Sequence, residues 1–223
     1  MPRRATAAQA RRNRAVGDVD HAVAVAAAKA TKAVAKAHRA TLALLANRGV
    51  PSAAKRPALA YLALGSNLGD RVDHVVKARD AIGVIPGCSL QRCSSLFETA
   101  AWGSNTPQPD YLNAVIAVET TLTPLQLWQH TSAIEQAQGR VRNAEKNAAR
   151  TLDIDLLLYD DIITDTSRLT LPHPRMHLRK FVLQPLLEIA PHIVIPERGA
   201  AANCLLKIAD DDARKLSHNS AWN

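Results

Sequence analysis

No stretch of this 223-residue chain approaches the roughly 18 consecutive apolar residues of a membrane-spanning helix. The N-terminus also lacks the short apolar block and cleavage site of a secretory leader. Cys88, Cys93 and Cys204 are odd in number and form no CxxC pair, which excludes a disulfide framework and a zinc site and leaves reduced structural thiols. There is no GxxxxGK[ST] loop, no H-R-D or D-F-G set, and no Ser-His-Asp or Cys-His arrangement among the scattered histidines. No internal repeat is visible. P-loop enzymes, protein kinases and triad hydrolases are thereby removed, and a cytoplasmic globular protein that binds no membrane is expected. Hydrophobic residues at 47% are enough to fill one good-sized core.

Positive charge is plentiful but unevenly spread. The formal net charge is +8, yet residues 1–58 hold 12 Lys and Arg against 2 acids, leaving 16 bases and 18 acids for the rest. Residues 1–57 therefore read as a basic extension: an Arg- and Ala-rich start without apolar period, expected to be disordered, then an Ala-dominated helix with Lys29, Lys32, Lys36 and Arg39 along one face. GlyValProSerAlaAlaLysArgPro (49–57) is a linker by composition, and the compact domain is expected over 58–223. The extension has no interleaved aromatic residues for base stacking, so nucleic-acid binding is expected to be weak at most and confined to this segment. A mitochondrial transit peptide fits its Arg-rich, acid-poor composition but not its single serine, Ser52.

From Ala58 onward strand and helix patterns mix. AlaTyrLeuAlaLeu (60–64) is a strand leading through GlySerAsnLeuGlyAsp (65–70), read as a turn capped by Asp70, into a helix with Val72, Val75, Val76 and Ile82 inside. A second strand is expected over 89–98 and a third over 111–119. Thr123, Pro124 and Gln126 give a helix start with capping-box spacing, and Gly139 its stop. Residues 152–159 form a fourth strand. A β-rich return through 162–171 precedes a helical stretch around 178–190, expected to be interrupted at Pro185. This order suits an α+β, ferredoxin-like sandwich with an antiparallel sheet.

The segment RTLDIDLLLY (150–159) carries the most chemistry. Strand alternation puts Leu152, Ile154, Leu156 and Leu158 on one face and Asp153 and Asp155 on the other, the two aspartates roughly 7 Å apart between Cα atoms. Two like charges on an apolar strand call for a compensating cation, and hard oxygen ligands favour Mg²⁺ or Ca²⁺. A D-x-D pair alone could equally be the wet face of an edge strand. Here, however, Arg140, Arg142, Lys146 and Arg150 precede it and Arg168, His173, Arg175 and Arg179 follow it, the complement expected where phosphate is transferred. Tyr111 and Asn113 share a strand face, with Trp102 in the loop before them. They could sandwich and read a planar heterocycle, or Tyr111 could simply pack in the core.

RTLDIDLLLY with LysAsnAlaAla before it, TyrLeuAlaLeuGlySerAsnLeuGlyAsp, ProAspTyrLeuAsnAlaVal, IleGluGlnAlaGlnGlyArgValArg and LeuThrLeuProHisProArgMet together resemble the hydroxymethyldihydropterin pyrophosphokinase family over about residues 60–195. The resemblance implies transfer of the β,γ-diphosphate of ATP to the pterin hydroxymethyl group in folate biosynthesis, with release of AMP. It implies two Mg²⁺ ions at Asp153 and Asp155, and catalytic roles for Arg140 and Arg150. It further implies an ATP site lined by Glu135, Arg142, Leu156, Arg168, Thr170, His173 and Arg179. It also implies a pterin site at Thr99, Ala100, Trp102, Tyr111, Asn113 and Phe181, with loops 100–110 and 140–149 closing over both. The family pattern is broken at Asn147, where an aromatic is common, and at Ala148 and Ala149, where Gly-Pro is common. The competing readings are another Mg²⁺-dependent D-x-D nucleotidyl- or glycosyltransferase and a basic nucleic-acid-binding accessory protein. A monomer is expected.

Overall fold

The computed structural model describes residues 56–101, 107–140, 148–208, 213–216 and 222. The expected Ala-rich helix of the extension, Trp102, Arg142, Lys146 and Asn147 lie outside them. Strand β1 (Ala58–Ser66) leads into helix α1 (Arg71–Gly83), whose first turn is capped by Asp70, with its carboxylate accepting from the Asp73 N–H at 3.0 Å. That cap satisfies one of the amide donors a helix start leaves open. The second strand does not run unbroken over 89–98. It divides into β2 (Cys88–Cys93) and β3 (Phe97–Thr99), both paired with β4 (Tyr111–Thr120). At the break the Ser94 hydroxyl takes the place of a main-chain acceptor, receiving the Val115 N–H at 2.9 Å, while Ser94 N–H donates to Val115 O at 2.9 Å.

Helix α2 (Pro124–Ala137) starts with the full Thr123–Gln126 capping box. It ends as the sequence suggests: Gly139 adopts φ +81°, Gly139 N–H donates to Gln136 O at 3.1 Å and Arg140 N–H to Glu135 O at 3.0 Å. This is a Schellman closure, in which glycine takes the left-handed position at least cost. It turns Arg140 back over Glu135. Strand β5 (Asp153–Tyr159) follows, then a short hairpin of β6 (Thr164–Asp165) and β7 (Thr170–Leu171), a 3₁₀ turn (Met176–Leu178) and helix α3 (Lys180–Ile189). A second short hairpin of β8 (Val194–Ile195) and β9 (Gly199–Ala200), helix α4 (Ala201–Leu205) and strand β10 (Arg214–Lys215) complete the described chain.

The main sheet is antiparallel with order β10-β3-β4-β1-β5, and β2 joins β4 off that path. Both faces are covered. On one, Ala60, Leu62 and Leu64 of β1 and Ala114, Ile116 and Val118 of β4 pack against Val75, Ala78 and Ile82 of α1 and Leu127 of α2. On the other, Tyr61, Val115, Ala117, Leu157 and Leu158 meet Val182, Leu183, Leu186 and Ile189 of α3 and Ala201 and Cys204 of α4. Double cover explains why β4 reads as an apolar run rather than an alternating one. Helix α3 continues through Pro185, contrary to the expected interruption. An internal proline costs about 3 kcal/mol, whereas four buried aliphatic side chains at about 1.5–3 kcal/mol each outweigh it.

The alternation expected along β5 holds only as far as Leu156. Pairing with β1 runs Ala63↔Asp155 and Leu62↔Leu156, then jumps to Tyr61↔Leu158, so Leu157 is the extra residue of a bulge. Leu158 therefore joins Leu157 in the second core instead of sharing the face of Ile154 and Leu156. A bulge inserts one residue and reverses the parity of the strand beyond it. The aspartates precede it, so their shared face stands.

Candidate active site

Asp153 and Asp155 lie at the start of β5, the last strand of the sheet path. Asp153 is held from both sides: Arg140 Nη1 lies 2.6 Å from Oδ1, and Arg150 Nη1 donates to Oδ2 at 3.0 Å. Arg140 also pairs with Glu135, whose Oε1 accepts the Ile154 N–H at 2.7 Å. Asp155 Oδ2 lies 3.5 Å from Arg179 Nη1 and 3.6 Å from His173 Nε2. The Arg179 guanidinium in turn stands 5.5 Å over the Phe181 ring, a cation–π contact.

The charges at this site are under strain from burial. Burial, with the Asp153 charge, pushes the Asp155 carboxyl up to about 6, against the pull of Arg179, Arg140 and Arg150. Burial pushes Glu135 up to about 7 despite Arg140. His173 is driven down to about 4, first by burial and then by Arg179 and Arg175. Its ring is neutral at pH 7, so its approach to Asp155 is a polar contact and not an ion pair. Arg175 N–H donates to His173 Nδ1 at 3.3 Å, which leaves Nε2 to carry the proton toward Asp155.

Of the residues expected at the pterin site, Thr99, Tyr111 and Asn113 lie together, while Phe181 stands against Arg179. Asn113 Nδ2 donates to Thr99 Oγ1 at 2.8 Å in a buried pair, and β3–β4 pairing sets Thr99 opposite Tyr111. The Tyr111 hydroxyl donates to Ala148 O at 3.4 Å, and Arg150 Nε donates to the same carbonyl at 3.1 Å. Tyr111 thus touches the segment that carries Arg150. Ala100 follows at the exposed end of β3. The Leu156 side chain is buried in the first core, on the strand face opposite the aspartates. By strand alternation its main chain points with that of Ile154 away from β1. Arg168 is exposed beside β7, and the Thr170 hydroxyl donates to Asp165 at 2.8 Å. Among the described residues neither is joined to the acidic pair by a hydrogen bond or ion pair.

Two contributors escaped the sequence reading. Gly65, the last residue but one of β1, runs so close to the site that a Cβ there would sit 3.3 Å from Asn113 Oδ1 and 3.9 Å from Asp153 Cβ. Asn67, within the turn at 65–70, accepts the Arg150 N–H at 2.8 Å. The turn motif was the available signal, but its local reading is already satisfied by Asp70.

The donor set fits a divalent cation of the magnesium type. Two carboxylates share one strand face, and among the described residues no group of three or more His, Cys, Asp and Glu surrounds a point that could hold a metal. Such a site leaves most of the coordination sphere to water and to phosphate oxygens, the habit of Mg²⁺. Asp155 also stands next to the Asp153 charge with its own carboxyl raised, a crowding of negative charge that a cation would relieve.

An antiparallel α+β domain that presents paired carboxylates among arginines defines a class: proteins that handle a divalent cation together with a phosphorylated small molecule. Within that class the comparisons are specific. Residues 61–191 match the model of 7,8-dihydro-6-hydroxymethylpterin-pyrophosphokinase, and the chain belongs to that family. It is 42% identical over 151 residues to the 2-amino-4-hydroxy-6-hydroxymethyldihydropteridine pyrophosphokinase of Synechocystis, covering 68% of this chain and 76% of that one. It is 42% identical over 158 residues to the enzyme of the same name from Haemophilus influenzae, covering 71% and 98%. A crystal structure of a Plasmodium falciparum HPPK-DHPS superimposes with a TM-score of 0.55 at 13% identity, over 70% of this chain and 46% of that one. That last likeness concerns the fold alone, and this chain spans less than half of the larger protein. No helix among the described residues is long and apolar enough to cross a membrane.

Proposed function

We propose that the protein transfers the β,γ-diphosphate of ATP to the hydroxymethyl group of 6-hydroxymethyl-7,8-dihydropterin, a step of folate biosynthesis, and releases AMP. The observation that carries this reading is the acidic pair at the start of β5 between Arg140, Arg150 and Arg179, inside the segment that matches the family. Family membership disfavours the nucleotidyl- and glycosyltransferase alternatives.

The pterin hydroxyl oxygen attacks the β-phosphorus, the bond from that phosphorus to the α,β-bridging oxygen breaks, and AMP departs while the hydroxyl proton passes to water. Asp153 and Asp155 would hold Mg²⁺, two ions in our reading, which when bound neutralises phosphate charge and lowers the barrier to attack. Arg140 and Arg150, both paired with Asp153, would meet the transferring group. Arg179 and neutral His173 flank the nucleotide side, where Glu135 anchors Arg140 and the β5 main chain. Arg168, Thr170 and the Leu156 main chain complete the ATP site. Tyr111, Asn113, Thr99, Phe181 and the Ala100 main chain receive the pterin. The roles of Arg142 and Trp102 rest on the family resemblance. Such chemistry runs on positioning and charge stabilisation, with little covalent help from the protein.

The scaffold is in this reading a ferredoxin-like sandwich, supported by the chain order β-α-β-β-α-β with the split β2/β3 counted as one strand and by the neighbour order β3-β4-β1-β5. Helices α3 and α4 are an added layer on its second face. Residues 58–223 would be the catalytic domain of a cytoplasmic monomer, and residues 1–57 an accessory extension. Incubation with ATP, Mg²⁺ and the reduced pterin should yield AMP and the pterin diphosphate. Formation of ADP, or ATP consumption without modification of the pterin, would overturn the assignment.

A further inference from the structure

Asn67 follows the last residue of β1 and is only 1% exposed, although amide side chains ordinarily stay in water. Its polar groups are engaged with two distant segments. Oδ1 accepts the Arg150 N–H at 2.8 Å, and its own main-chain N–H donates to Arg150 O at 3.1 Å. Nδ2 donates to Gln108 Oε1 and to Pro109 O, each at 3.2 Å. The turn in which it sits does not require this residue, because Gly69 at φ +66° and the Asp70 cap already reverse the chain.

The two segments Asn67 grips are the approaches to the two halves of the site. Residues 108 and 109 lead into Tyr111 and Asn113 on β4, while Arg150 leads into Asp153 on β5 and itself donates to that carboxylate. A buried amide is stable only when its donors and acceptor are all used, so both approaches must be seated together. We infer that Asn67 is a positioning residue that sets the pterin wall and the Arg150–Asp153 wall at a fixed distance from each other. The inference rests on the pyrophosphokinase reading for the identity of the two substrates. It assigns Asn67 no contact with either.

Asn67→Asp and Asn67→Ala separate the two grips. Asn67→Asp keeps an acceptor for the Arg150 N–H and turns an oxygen toward Gln108 Oε1 and Pro109 O. Amide hydrogen exchange should therefore quicken across 107–112 and stay slow across 148–153, and the KM for the pterin should rise about tenfold with the KM for ATP within about twofold. Asn67→Ala releases both segments and should raise both constants. A residue that merely stabilises the fold would move both segments and both constants in proportion in either variant. That pattern in Asn67→Asp, or slow exchange in both segments of Asn67→Ala, overturns the inference. Exchange is read without turnover, so wild-type protein that makes no AMP would sink the functional assignment while the exchange pattern still decides the clamp.

Discussion

Glu135→Gln isolates the cost of a buried charge at the site. The Glu135 side chain is 5% exposed, and its carboxyl is raised from the ordinary 4.5 to about 7. Each pKa unit corresponds to about 1.4 kcal/mol between the two protonation states, so the whole shift amounts to about 3 kcal/mol. The native state holds this proton more tightly than the unfolded chain. Its contribution is therefore fully present below pH 4.5 and is lost as the pH climbs through 7. Glutamine keeps an oxygen for the Ile154 N–H and does not titrate. Urea unfolding of the metal-free protein at pH 4.5 and pH 8 should show the stability difference between variant and wild type moving in favour of glutamine by about 3 kcal/mol. Titrations of groups that do not feel the Glu135 charge occur in both proteins and cancel, while Asp155, which does feel it, adds to the difference read between the two curves. Parallel stability curves across that range would refute the reasoning. Turnover at neutral pH should fall about tenfold, because Arg140 keeps Asp153 but loses its second carboxylate.

Asp153→Asn and Asp155→Asn should each reduce AMP formation at least 100-fold, about 3 kcal/mol in barrier; turnover near wild type at saturating Mg²⁺ would remove the carboxylates from the metal role. Gly65→Ala places a Cβ 3.3 Å from Asn113 Oδ1, so the pterin KM should rise several-fold, roughly the effect of displacing one buried hydrogen bond. An unchanged pterin KM would mean that Asn113 does not read the substrate. A chain beginning at Pro57 should retain the activity of the whole protein, since the site residues named here all lie after residue 64; a folded but inactive product would tie the basic extension to catalysis.

Sequence spacing revealed those parts of the structure whose causes are local. The Asp70 cap, the Thr123–Gln126 box and the stop at Gly139 each depend on residues within one or two turns. The shared face of Asp153 and Asp155 was legible because alternation holds until the bulge at Leu157, beyond them. The bulge itself was hidden: with both faces apolar, a change of parity leaves no trace in the pattern of leucines. The split at Ser94 depends on a hydroxyl answering Val115, and the continuity of α3 through Pro185 on the sheet beneath it. Asn67 illustrates the same limit at the site, since its side-chain partners lie 41, 42 and 83 residues away.

The second apolar face of the sheet also bears on how the protein is made. On the ribosome, strands β1, β4 and β5 and helices α1 and α2 can begin to assemble once Tyr159 has emerged, because most of the residues of their shared core, Leu171 and Trp222 excepted, precede it. Tyr61, Val115, Ala117, Leu157 and Leu158 are then left without the cover that α3 supplies some twenty residues later. A half-clad sheet of this kind is an adhesive surface, open to other nascent chains and to chaperones until α3 arrives. Substitutions at Leu186 or Ile189, more than a turn beyond Phe181 along α3, should accordingly show first as lost yield of soluble protein, while the molecules that do fold turn over normally.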